Sequence, residues 1–176
     1  MPLDSAGEAL LATCQRGAGM TRIGIAGHQD LPHAAMDYVT TGIRRILCSY
    51  DNITGYSSLA AGADQLFAHE LLAAGGRLHV VIPAVGYPET FKGDDAASYR
   101  QLLSAASEVS RLPYASPGEA AYDAAGRWIA EHSDLLIAVW DGQPARGLGG
   151  TADAVAYARE LDRDVRIIWP AGLARR

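Results

Sequence analysis

Short apolar runs alternate with longer amphipathic segments along the chain, and this alternation predicts the secondary structure. Runs of mainly apolar residues, typical of buried strands, lie at 22–26, 53–56, 78–82, 109–112, 134–140 and 165–169. Between them, apolar positions recur at spacings of three and four, which predicts helices at 33–49, 63–74, 96–107, 116–132 and 150–161. A further short helix is predicted at 5–16, ahead of the first strand.

The order of these elements predicts an α/β fold, doubly wound, with a mostly parallel sheet of about six strands. A helix that joins two strands forms a right-handed crossover, which makes those strands parallel. Strands that are apolar at nearly every position fit a sheet covered by helices on both faces. A chain of 176 residues has the length of one domain. We therefore assign 1–176 to a single domain, with a leading helix and connector at 1–20.

Composition and charge narrow the class of protein. Apolar residues make up 49% of the chain and charged residues 20%, a balance typical of a protein with a buried core. The formal net charge of −5 argues against general nucleic-acid binding, which needs a basic face. Cys14 and Cys48 lack the spacing of a disulfide framework or zinc ribbon. No segment resembles a signal peptide or a membrane span, so we expect a cytoplasmic protein.

Three turns at the predicted carboxyl ends of strands carry small and polar residues suited to ligand binding. Ligands of parallel sheets bind outside these strand ends, where glycines permit close backbone approach and helix starts attract phosphate. The predicted ligand-binding residues are Gly27, His28, Gln29, Ser57, Ser58, Leu59, Gly62, Ala63, Asp64, Asp141, Gly142, Gly149, Gly150 and Thr151. Each turn alone also fits a structural role, with His28 or Asp64 at a helix start. Their coincidence on one sheet edge favours a site.

Taken together, these motifs resemble the SLOG superfamily. The resemblance rests on the segments 24–28, 57–64, 133–142 and 149–151, and it spans about 22–169. It implies a Rossmann-like fold and a nucleotide or nucleotide derivative as ligand. The superfamily includes DprA-like DNA-processing proteins, lonely-guy phosphoribohydrolases and nucleotide sensors. By position, the glycines and threonine of 149–151 resemble the loop that holds the nucleotide phosphate, and 57–64 resembles the opposite wall.

The resemblance leaves two functions open, a nucleotide-binding or sensing protein and a phosphoribohydrolase that releases free base. Phosphoribohydrolase members carry a glutamate three residues after the loop threonine, where this chain has Ala154. Asp153 precedes that position and is turned by about 100° around the helix. Asp64 and Asp141 are further candidate carboxylates for this chemistry, and Arg127 lies near the place of the family arginine. Because Ala154 replaces the glutamate, we expect binding rather than turnover.

The 84–95 loop offers a further candidate, since Tyr87 and Phe91 could stack on a base while Lys92 contacts phosphate. The alternative is that these rings pack against the sheet. No His, Cys, Asp and Glu set has metal-ligand spacing, and the sequence implies no cofactor. The expected partners are a small nucleotide-like ligand and a second copy of the chain. A homo-oligomer, with a dimer favoured, is expected because the family dimerises and the helices near Ser5 and His33 have apolar faces.

Overall fold

The computed structural model describes residues 17–174, whose backbone contains a six-stranded sheet. Its strands are β1 (Gly17–Gly27), β2 (Tyr50–Ser57), β3 (Arg77–Ile82), β4 (Glu108–Arg111), β5 (Leu135–Val139) and β6 (Asp164–Ile167). Their order across the sheet is β4-β3-β2-β1-β5-β6, and every neighbouring pair is parallel. The predicted α/β fold with a mostly parallel sheet of about six strands is confirmed.

Helices follow the strands and cover both faces of the sheet. They are α1 (His33–Leu47), α2 (Ala63–Ala73), α3 (Gly93–Ser104), α4 (Glu119–His132) and α5 (Thr151–Glu160), with a short 3₁₀ turn at Pro88–Thr90. Helix α2 contacts α1 and α3, whereas α4 contacts α5, so the helices form two separate layers. Within residues 17–174, no helix is long and apolar enough to cross a membrane.

Strand β5 is apolar throughout because its side chains enter two different cores at alternate positions. All five residues of β5 are buried. Leu135, Ile137 and Val139 join the apolar cluster beneath α1, α2 and α3, whereas Leu136 joins the cluster beneath α4 and α5. Alternation of side chains across a strand therefore explains why this segment lacks a polar face and was recognisable from the sequence.

Strand β1 is longer than its apolar run indicates. It starts at Gly17 rather than at 22, so the last residues of the predicted connector belong to the sheet. Gly17 pairs with Tyr50 and Met20 with Asn52, on either side of an irregularity in the register. Met20 is 55% exposed, so this part of β1 has no buried apolar run that the sequence could reveal. It is a strand because it pairs with β2. The predicted helix at 5–16 lies outside the described residues.

The strand order reverses beside β1, and this reversal positions the site. The chain builds β2, β3 and β4 successively on one side of β1 and then crosses back to place β5 on the other side. The connections that leave β1 and β5 therefore diverge at the carboxyl ends of these neighbouring strands. Such a switch point leaves a crevice that ligands of open α/β sheets occupy.

Candidate functional site

An open cavity of about 730 Å³ lies at the carboxyl end of the sheet, where β1 and β5 diverge. All three predicted turns contribute to it. The predicted ligand-binding residues in its lining are Gly27, His28, Gln29, Ser58, Asp64, Gly149, Gly150 and Thr151. Small-molecule sites measure roughly 300–1,000 Å³, so the cavity has room for a ligand of nucleotide size.

Other predicted ligand-binding residues lie behind the lining and shape it. Three of them are fully buried: Ser57, Leu59 and Ala63. Gly62 has a φ of +79°, and a Cβ added there would lie 2.1 Å from the carbonyl oxygen of Gln29. A glycine is required at this position because the start of α2 packs directly on the backbone that follows β1. Gly142 is exposed and has a φ of +80°, as expected for a turn.

His28 joins the carboxyl ends of β1 and β5 through hydrogen bonds. Its Nε2 lies 3.0 Å from Asp141 Oδ1 and 3.3 Å from the Asp141 backbone nitrogen, so Asp141 offers a partner to either imidazole tautomer. The His28 backbone N–H donates to the Val139 carbonyl at 3.1 Å, and its carbonyl accepts from the Ala63 N–H at 3.2 Å. Asp141 therefore positions His28 and lies outside the cavity lining.

Asp64 forms part of the cavity wall at the start of α2. Its Oδ2 accepts hydrogen bonds from Ser57 Oγ and from the Ser58 N–H, each at 3.2 Å. The side chain lines the cavity although the residue is only 6% exposed. Burial raises the pKa of Asp64 to about 7, against the lowering effect of hydrogen bonds from Ser57, Ala60 and Ser58. No cation of the described segment offsets this burial, so a large fraction of the group is neutral near pH 7.

The third turn packs against α4 on one side and against Ala145, earlier in the same 141–150 loop, on the other. Gly149 has a φ of +82°, and an added Cβ would lie 2.5 Å from the Asp123 backbone nitrogen. At Gly150 an added Cβ would lie 2.9 Å from the Cβ of Ala145. The two glycines therefore allow the loop to approach both neighbours. A larger side chain at Gly149 would displace the backbone of α4.

The start of α5 presents backbone donors to the cavity. Gly150 is the N-cap and Thr151 the first helical residue. The N–H groups of Asp153 and Ala154 donate to the Gly150 carbonyl at 3.1 and 3.2 Å, whereas those of Thr151 and Ala152 precede the first bonds of the helix. The Asp153 carboxylate turns back and accepts the Gly149 N–H at 2.9 Å. Thr151 and Ala152, which both line the cavity, therefore carry the N–H groups left for an anion at the positive end of the helix dipole.

The structure separates the weak catalytic candidates, which are Asp64, Asp141, Asp153 and Arg127. Of these four, only Asp64 lines the cavity. Arg127 Nε donates to Asp123 Oδ2 at 2.8 Å and its guanidinium lies over the Tyr157 ring of α5. The two other aspartates are held as described above. Ala154, at the place of the phosphoribohydrolase glutamate, lines the cavity. Among residues 17–174 no cluster of three His, Cys, Asp or Glu side chains is arranged to hold a metal.

The loop between β3 and α3 forms a further wall, with Tyr87, Phe91 and Lys92 in the lining. Tyr87 is 5% exposed and meets the Phe91 ring edge-on, at 5.1 Å between centroids. Phe91 in turn stacks on Tyr99 at 4.5 Å. Tyr87 thus packs in the core, which was the alternative to base stacking. Half-buried Phe91 and exposed Lys92 lie at the mouth of the cavity.

Sequence reasoning missed several lining residues, namely Asp30, Asp95, Tyr122, Gly126 and Arg146. Tyr122 and Gly126 are four residues apart on α4, and that spacing places them on one helix face. This spacing could have indicated that the two residues share a surface of α4, but not that this surface lines the cavity. Arg146 lies in the glycine-rich 141–150 loop, where the glycines were noticed and the cation was not.

Comparisons with solved structures relate this fold to known proteins. The DNA processing protein A (DprA) of Streptococcus pneumoniae matches with a TM-score of 0.67 and 21% identity, over 88% of this chain and 52% of that chain. DprA of Helicobacter pylori, described for its single-stranded DNA binding mode, matches with a TM-score of 0.62 and 13% identity, over 88% and 68%. A molybdenum cofactor binding protein from Rippkaea orientalis matches with a TM-score of 0.54 and 16% identity, over 86% and 77%. The chain spans about half the length of the S. pneumoniae protein.

No family model and no curated protein matches the sequence. The expectation that net charge argues against nucleic-acid binding is nevertheless wrong, because the H. pylori neighbour with this fold is described as binding single-stranded DNA. The cavity lining carries exposed Lys92 and Arg146 beside exposed Asp30 and Asp95, and a net charge averaged over the chain does not describe this local arrangement. At these identities the likeness is one of fold. The chain shares the Rossmann-like fold of these structures, the fold that its sequence motifs predicted.

Proposed function

We propose that the chain binds a nucleotide-type ligand in the cavity between the carboxyl ends of β1 and β5. The observation that carries the proposal is the meeting of three turns, far apart in the sequence, around one cavity. Thr151 and Ala152 at the start of α5 supply donors for a phosphate. Asp64 and Phe91 lie in other walls of the cavity and offer a polar contact and a stacking surface for the base.

Binding is favoured over hydrolysis of an N-glycosidic bond. That reaction needs a carboxylate beside the anomeric carbon to stabilise the developing positive charge. On the α5 side the lining holds Ala154, and the Asp153 carboxylate is engaged by the Gly149 N–H. Of the carboxylates predicted as candidates for this chemistry, Asp64 is the one that lines the cavity, and burial raises its pKa to about 7. A partly neutral carboxyl group stabilises a cation less well than a full carboxylate, which favours binding over hydrolysis.

A thermal-shift and calorimetric panel of nucleoside monophosphates, cyclic nucleotides and sugar nucleotides tests the proposal. A ligand at a hundred times its Kd raises stability by about 2.7 kcal/mol. Thr151→Val, which removes one hydroxyl from the cavity, is expected to weaken binding about 3- to 10-fold. Thr41→Val on the exposed face of α1 is the matched control and should bind as the wild type does. No stabilisation by any compound, or equal binding by both variants, would contradict the proposal.

Single-stranded nucleic acid is the second candidate ligand. The fold is shared with the H. pylori protein described as binding single-stranded DNA, and exposed Lys92 and Arg146 line the cavity together with Phe91. Proteins that bind single strands combine such cations with aromatic rings on which bases stack. In this case one nucleotide of the strand would enter the cavity.

Fluorescence anisotropy with labelled oligonucleotides separates the two candidates. Strand binding should weaken steeply with added salt, because phosphate contacts release counterions. Lys92→Gln should then weaken binding more than Arg45→Gln, which removes an equal charge from the far end of α1. Binding of mononucleotides without binding of oligonucleotides would exclude the strand as ligand.

A further inference from the structure

We propose that the ligand has a second phosphate-bearing unit, which lies in a cleft beside the cavity with its phosphate over Ala96, between Lys92 and Arg100. This inference rests on the proposed function and specifies the size and charge of the ligand. The ligand then consists of two nucleotide units joined through a phosphodiester rather than of one unit. Such a pair of units is found in a free dinucleotide and in a single strand.

The cleft has a volume of about 430 Å³ and adjoins the cavity at the start of α3. Phe91 and Lys92 line both spaces, so these two residues form the boundary between them. The other lining residues of the cleft are Pro88, Glu89, Ala96, Tyr99 and Arg100. Since Lys92 is exposed and Phe91 half-buried, the boundary is open to solvent. A ligand in the cavity can therefore extend past Phe91 into a space large enough for a further small-molecule group.

Packing within the protein holds this boundary in place. The N–H and the Oγ1 of Thr90 both donate to the Tyr87 carbonyl, at 3.1 and 2.7 Å, and this closes the turn before Phe91. The Phe91 ring stacks on Tyr99 with 4.5 Å between centroids and 21° between planes. Tyr99 is itself only 1% exposed. The shape of the cleft therefore does not depend on a ligand to order it.

The charges of the cleft favour an anion. Its charged residues are two cations, Lys92 and Arg100, and one anion, Glu89. Lys92, Ala96 and Arg100 follow one another at spacings of four, which places them in a row on one face of α3, about 12 Å long. The two long side chains can converge over the small alanine between them. Among residues 17–174 the Arg100 side chain has no hydrogen bond or ion pair, so its donors are available to a phosphate.

The position of the cleft indicates how the second phosphate is attached to the ligand. The donors at the start of α5 belong to the helix layer that α5 forms with α4, whereas α3 packs with α2 in the other layer. A phosphate linked directly to the first one would stay near α5. A phosphate linked through the ribose can cross the cavity to α3. The cleft therefore suits a second nucleotide unit better than a longer chain of phosphates on one nucleoside.

Calorimetry with matched ligands tests the inference. The probes are the 5′-phosphorylated homodinucleotides of the four bases and the corresponding nucleoside 5′-monophosphates. Nucleoside 5′-diphosphates are the control ligands, because they add a charge beside the first phosphate and no second nucleoside. We expect the dinucleotide to bind about tenfold more tightly than the monophosphate, and the diphosphate to gain less than about threefold. The slope of log affinity against log salt should be steeper by about 0.7 for the dinucleotide, because of its additional phosphate contact.

Two neighbouring alanines of α3 provide matched variants. Ala96→Leu places a larger side chain in the cleft and should remove the advantage of the dinucleotide. Ala97→Leu is the control, since Ala97 is exposed and lies outside the lining of both spaces. Arg100→Gln should weaken dinucleotide binding about 3- to 10-fold, whereas Arg45→Gln in the last turn of α1 should not. Unchanged affinity for the monophosphate shows that each variant is folded.

The outcomes separate this inference from the proposed function. If monophosphate and dinucleotide bind equally, or if the diphosphate gains as much as the dinucleotide, the inference fails and the proposed function stands. A dinucleotide advantage that survives Ala96→Leu has the same consequence. If none of these compounds binds, both are overturned. Once the dinucleotide advantage is established, a hexanucleotide that binds no more tightly than the dinucleotide identifies a free dinucleotide as the ligand, and a further gain in affinity identifies a strand.

Discussion

A pair of charged or ionisable side chains joins the neighbouring strands β1 and β5 at each end, and the cavity described above lies at the carboxyl end. At the amino end, Arg22 holds Asp134, with 2.7 Å from an Arg22 terminal nitrogen (Nη2) to Asp134 Oδ1, and the two side chains are 42% and 41% exposed. At the carboxyl end, His28 and Asp141 are 9% and 4% exposed. A cross-strand pair is thus present at both ends of β1 and β5, so such a pair alone does not explain the cavity at the carboxyl end.

The turns around the pair make the difference. At the carboxyl end, Gly62 and Gly149 let two helix starts approach the backbone of their neighbours, and the space between them is the cavity. At the amino end, the Asp134 N–H donates directly to the Arg22 carbonyl at 2.8 Å. The proposed binding site therefore depends on the glycine turns and helix starts, whereas the cross-strand pair holds the two strands together.

The largest expected effect on stability comes from Asp64. In an exposed setting the carboxyl group titrates near 3.8, whereas burial raises its pKa in the fold to about 7. Below 3.8 both states are protonated. As the pH rises towards 7, the unfolded chain loses the proton first, so the free energy of unfolding falls. The loss levels off above about pH 7, at no more than about 4 kcal/mol.

Urea unfolding across the pH range checks this expectation. Asp64→Asn should be as stable as the wild type near pH 4 and more stable near pH 8, because it has no charge to bury. Asp94→Asn, at the matching position of α3, should follow the wild-type curve. Parallel curves for wild type and Asp64→Asn would show that Asp64 titrates as an exposed aspartate does.

The next effect concerns the glycine turn that holds α2 against β1. Gly62→Ala places a Cβ 2.1 Å from the Gln29 carbonyl oxygen at a φ of +79°, and we expect it to cost about 3 kcal/mol. Gly75→Ala is the control because Gly75 has the same φ of +79° with no atom within 4 Å of an added Cβ. It should cost about 1 kcal/mol. Equal losses of stability for the two variants would mean that the close packing at Gly62 has no energetic weight.

The sequence allowed the prediction of those features that depend on local patterns of residues. Apolar runs such as 134–140 predicted the strands, and the glycines of 57–64 and 149–151 marked two of the walls. What a side chain bonds to is set by tertiary packing and was not predictable. Asp141 and Asp153 stood as equal candidates, yet one holds His28 and the other a backbone N–H.

The smallest expected effect on stability is the difference between the pairs at the two ends of β1 and β5. Asp141→Asn removes a buried charge beside His28 and should cost about 1–2 kcal/mol. Asp134→Asn should cost less than about 1 kcal/mol, because exposed ion pairs are screened by solvent. The hydrogen bonds from Arg22 lower the pKa of Asp134, so its small contribution is present above its unfolded pKa and is lost as the pH falls. Thermal unfolding of both variants at neutral and acid pH measures the contrast, and an equal cost at neutral pH would remove it.

The central claim is that ligand binds at the carboxyl end of the β1–β5 pair, and a backbone amide NMR titration with the tightest compound of the nucleotide panel tests it most directly. We predict saturable shift changes at 27–29, 58–64 and 149–152, the turns that surround the cavity. The amides of Arg22 and Asp134 at the amino end should stay unchanged. Saturable changes at the amino end or on the outer helix surfaces, with the three turns unaffected, would contradict the claim.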